Sequence, residues 1–177
     1  MSMTVRELWT VVHGMGLGAL FLLAFAGGLA GLYSLKPEWV TVVGVRERLL
    51  RLNVGTWVMA LVAWLTVVSG TYIVYPWYRA KPPEGLADLS AYPRSFLLSM
   101  PNLSAWHTFA MEWKEHVAWF APILATTVAF VVWRYGDQIS QNATLRKALI
   151  ILFMLAFTAA GIAGLFGAFI TKAAPLA

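Results

Sequence analysis

The chain has no cysteine, which removes disulfides, iron–sulfur clusters, thiolate metal sites and thioether-attached haem. Charge is scarce too: 12% of its 177 residues are Asp, Glu, Lys or Arg, about half the ~25% of a soluble domain. Only three histidines occur, His13, His107 and His116. The second and fourth apolar runs hold no carboxylate, so a di-iron bundle, which needs Glu from all four helices, has no ligand set. There is no phosphate-binding loop, no nucleophile elbow and no basic stripe for nucleic acid. Gly14-x-Gly16-x-Gly18 sits inside an apolar run and not after a strand, where it carries no nucleotide signal.

What fills the chain is hydrophobic residue, 60% of the total, gathered in blocks. Four runs, about 8–35, 54–77, 113–135 and 146–171, each reach the ~20 residues a transmembrane helix needs. None alternates with period two, which excludes a β-barrel. The chain is too short to surround four helices that are apolar all round. The expected fold is therefore all-α, an integral membrane four-helix up-down bundle forming a single transmembrane domain, 1–177. The first run is too long for the apolar region of a signal peptide and is expected to stay as a span.

Seven basic residues, Lys36, Arg46, Arg48, Arg51, Arg134, Arg146 and Lys147, flank the two short connections. The other six are spread over both tails, the long connection 78–111 and the start of the third run. Basic residues in short loops stay cytoplasmic. Both termini and loop 78–111 are thus expected on the outer, periplasmic side of the cell inner (cytoplasmic) membrane, taking the source as prokaryotic. Within that loop, Tyr92–Trp106 reads as an interfacial amphipathic helix, with Ser104 as N-cap of the third span and Thr144 as N-cap of the fourth.

The histidines carry the chemistry. His13 lies 21 residues before Ser34 and His116 lies 18 before Arg134. At 1.5 Å per residue these are roughly 31 and 27 Å from the cytoplasmic ends of parallel helices, so the two imidazoles share a level near the outer face. His13 shares its helix face with Gly16, Leu17, Leu20, Ala24, Gly27, Gly28 and Gly31, and His116 shares its own with Glu112, Trp119, Phe120, Ile123 and Phe130. A small-residue wall opposite an aromatic one suits a planar apolar cofactor ligated from both sides. The competing reading is ordinary: small-xxx-small spacings pack helices closely in lipid, and a boundary histidine often only hydrogen-bonds. His107, nine residues before His116, points to the opposite face about 13.5 Å higher and is an alternative ligand.

Four spans with His13 and His116 on separate helices resemble the membrane b-type cytochromes, four-helix haem proteins that pass electrons between quinones and redox partners. The resemblance implies one haem b near the outer face, held by His13 and His116 and lined by Gly16, Gly27, Gly28 and Phe120. Arg6 and Lys114 would face its propionates, and Glu112 would be a proton acceptor for quinol oxidation. It implies exchange between quinol or quinone and a periplasmic partner such as a c-type cytochrome, inside a complex with other membrane subunits and with no catalytic domain of its own. Family members with two haems place histidines at two levels. This chain has none in the cytoplasmic half. Two alternatives stay open: a cofactor-free structural or assembly subunit, and a copper- or zinc-binding membrane protein using His13 or His116 with Met15 or Met111.

Overall fold

A computed structural model describes residues 3–39 and 41–174. Among the described residues there is no strand. Five helices organise the described residues, besides a 3-10 turn at Pro37–Trp39: α1 (Val5–Ser34), α2 (Gly44–Tyr78), the short α3 (Pro93–Ser99), α4 (Trp106–Ile139) and α5 (Ala143–Ala173). The four longer ones are long and apolar enough to cross a membrane, and Leu23, Leu61, Leu65, Ile151, Leu155 and Leu165 stand exposed along them, as lipid contact requires. This is a multi-pass helical membrane protein.

The helices run past the apolar runs. At 30, 35, 34 and 31 residues they are ~45 Å or longer, against a hydrocarbon core of ~30 Å. Arg46, Glu47, Arg48 and Arg51, good helix formers, carry α2 out of its apolar run, and Trp106–Met111 does the same for α4. Capping explains most ends. Thr4 opens α1 with a reciprocal box, its amide donating to Glu7 Oε2 at 2.7 Å and its hydroxyl accepting from the Glu7 amide at 3.2 Å. At α5 the cap is Asn142, whose Oδ1 accepts from the Leu145 amide at 2.9 Å, and not the expected Thr144. The expected Ser104 cap also differs: its hydroxyl donates back to Pro101 O at 3.1 Å, and only its carbonyl opens α4. The interfacial helix is shorter than Tyr92–Trp106, because after Ser99 the chain turns through Pro101.

The described residues divide into two compact units. One draws on Met1–Gly18, Leu65–Trp119 and Gly161–Ala177, the other on Ala19–Trp64 and Phe120–Ala160. The first has a core of Tyr78, Leu97, Ala110, Met111 and Ile170, with Trp106 against Phe169 and both Phe109 and Trp113 edge-on to Phe166. Its helices are locally widened into π turns at Val12–Gly16, Gly70–Val74 and Trp106–Met111. In the second unit Phe25 stacks on Phe157 and Phe153 at 4.1 and 5.2 Å. Gly28 gives Phe153 its place, since a Cβ there would lie 2.6 Å from the ring. Arg48 closes the end of α1 by donating to Ser34 O at 2.7 Å, and Arg146 donates to Leu35, Ile139 and Ser140 carbonyls, which serves the orphan acceptors of helix C-termini.

Candidate functional site

His13 sits in the first π turn, half-buried, and its Nδ1 lies 3.1 Å from Ser69 Oγ. Ser69 Oγ also donates to Thr66 O at 3.1 Å, and the Thr66 carbonyl faces the His13 ring as well, so two groups from one helical turn hold the imidazole. The ring lies over Gly70, where a Cβ would stand 2.7 Å from Cε1 and 3.3 Å from Nε2. Gly70 is therefore what allows the ring to sit there.

Lys114 faces the same interior. It donates to Ala163 O at 3.2 Å and presses on Gly167, where a Cβ would be 2.5 Å from Nζ. Half-buried as a whole residue, it has an enclosed ammonium, near enough to His13 for its field to reach the ring. The ion pairs among the described residues are Arg51–Glu47 and His116–Glu112, and neither involves Lys114. Next along the helix, Glu115 faces Tyr75, and its Oε1, like Trp113 Nε1, is buried without a hydrogen-bond partner among the described residues.

His107 is 8% exposed and fully engaged. Arg94 Nε donates to its Nε2 at 3.2 Å, and Nδ1 is 3.0 Å from the Tyr78 hydroxyl. With both nitrogens committed, it has no lone pair left for a metal, unlike the alternative ligand the sequence suggested.

Among the described residues His13 and His116 share no hydrogen-bond partner. His116 has its side chain 72% exposed, and Nδ1–H donates to the Glu112 carbonyl at 2.9 Å, with Glu112 Oε2 at 3.7 Å. Two residues along a helix are 200° apart, so the face that sends Lys114 inward sends His116 outward. Ala121, Ala125 and Ala129 line the buried side of α4, while Phe120, Ile123 and Phe130 are exposed at 55%, 50% and 48%. The reason is the solvent. Lipid gives bulky apolar side chains no drive to turn inward, and small ones let backbones approach.

The remaining predicted residues are scattered. Gly16 and Gly27 are exposed and Gly28 is filled by Phe153, Glu112 is exposed, and Arg6 is half-buried in the first turn of α1. Among the described residues no three His or carboxylate side chains gather as a metal site. No family model, curated protein or solved structure matches the chain. Sequence reasoning missed Ser69, Gly70 and the inward turn of Lys114. A signal for the last was present in the Ala163–Gly167 pair on α5, a small-xxx-small seat for a long side chain.

Proposed function

We propose that the chain is a membrane-embedded redox subunit of the b-type cytochrome kind, which holds a haem through His13 and exchanges electrons between the quinone pool and an outer-side protein partner. One observation carries the reading: the half-buried His13 imidazole shares the interior of this unit with an enclosed ammonium that has no carboxylate partner among the described residues. A charge buried alone costs several kcal/mol unless an anion compensates it. His13 would hold the iron of a haem and Lys114 would face a propionate, and the bound group would supply one-electron chemistry. Ser69, 3.1 Å from Nδ1, orients the ring, as the hydrogen-bond partners of metal-binding histidines do. Glu115, enclosed where Glu112 is exposed, is the carboxylate placed to take a proton. His116 lies outside this set.

Titrating purified protein with haem tests the reading. Lys114→Met is expected to weaken retention on the order of tenfold or more, the loss of one charge-assisted contact, and to lower the midpoint potential. In the haem-free protein the same change is expected to leave the melting temperature equal or raise it, because a buried unpaired charge has gone. If Lys114→Met binds haem as tightly as the native chain, the propionate assignment is lost.

A further inference from the structure

Within the unit formed by Ala19–Trp64 and Phe120–Ala160, a groove of about 540 Å³ runs between α1 and α2. Its walls include Leu23, Gly27, Gly31 and Gly55, and one end carries Arg48 and Arg51. Gly27 and Gly55 have no atom within 4 Å of where a Cβ would stand, so this face is open, whereas neighbouring Gly28 is filled by Phe153. From Leu23 to Ser34 the groove follows α1 over twelve residues, about 16 Å from first to last. That is about half the ~30 Å hydrocarbon core, or one leaflet.

The charged end is fixed. Arg48 is pinned by its bond to Ser34 O and retains further guanidinium donors. Arg51 is exposed, with Glu47 3.7 Å away as its ion-pair partner, a surface pair of little strength. An apolar channel one leaflet deep with a cationic mouth has the shape and charge of an acyl chain joined to a phosphate. We propose that this groove seats an anionic phospholipid, one acyl chain lying along Gly27, Gly31 and Gly55 and the phosphate between Arg48 and Arg51.

The test uses the full chain in neutral detergent, with phosphatidylglycerol or phosphatidylcholine added in mixed micelles and bound lipid counted by native mass spectrometry. Phosphatidylglycerol is expected to be retained over phosphatidylcholine, and Arg51→Gln to cut that preference about fivefold, the effect of one basic residue at a membrane surface. Gly27→Leu with Gly55→Leu fills the groove and is expected to abolish retention without changing the melting temperature in lipid-free detergent. Equal retention of the two lipids, or undiminished retention in the filled variant, overturns the proposal. So does displacement of phosphatidylglycerol by a long-chain quinone, or a dimer that buries the groove.

Discussion

The His13 imidazole is held from α2, by the Ser69 hydroxyl 3.1 Å from its Nδ1 and by the Thr66 carbonyl facing the same ring. Nothing in the sequence near His13 shows this, since Ser69 lies 56 positions away. What the sequence did carry was the place of the histidine on a small-residue face. The spacing also put His116 and Lys114 on opposite sides of α4. It could not say which side faces in, because a helix apolar all round presents no polar face to mark the outside. The resulting site is sensitive at Gly70. Gly70→Ala would put a Cβ 2.7 Å from His13 Cε1 and force the ring off Ser69. The expected cost is ~1–3 kcal/mol by overpacking, read as a lower melting temperature in detergent, together with a shifted His13 signal in the histidine ¹⁵N spectrum. An unchanged spectrum would show that the ring does not need that seat.

At the scale of elements, the four spans were legible because a run of ~20 apolar residues in a chain this short is long enough to cross a bilayer and too long to bury otherwise. Their ends were less so. Asn142 took the cap expected of Thr144, and Ser104 turned its hydroxyl back to Pro101 O, since several polar residues within a few positions can each cap and local geometry decides among them. The π turns at Val12–Gly16, Gly70–Val74 and Trp106–Met111 leave no period in the sequence to read. They lie in the unit that also holds His13, Lys114 and His107, in keeping with the frequency of such bulges at functional sites. Near Pro122 the α-helical ladder of α4 relaxes into turns over Val117–Trp119, because proline removes the N–H that would serve Ala118 O. The glycines of α1 divide by what they touch. Gly28→Ala would meet Phe153 at 2.6 Å and is expected to destabilise by ~1–3 kcal/mol. Gly27→Ala, with open space around it, is expected to be neutral or to stabilise by up to ~1 kcal/mol. Thermal melting of the two variants side by side checks the contrast, and equal melting temperatures would refute it.

For the molecule as a whole, composition was enough to fix an all-helical membrane protein, and the structure bears that out with four membrane-length helices. The further expectation, a cofactor clasped between His13 and His116, rested on equal depth, parallel direction and a small-residue face opposite an aromatic one. Those conditions place side chains at one level without making them face each other. With His116 turned outward, the chemistry concentrates on His13, Lys114 and their neighbours. The reduced-minus-oxidised visible spectrum of the purified, haem-supplemented protein tests this most directly, comparing the native chain with His13→Ala and His116→Ala. A b-type band is expected in the native chain and in His116→Ala, and its loss is expected in His13→Ala. No band in the native chain, or a band that survives His13→Ala, would contradict the account.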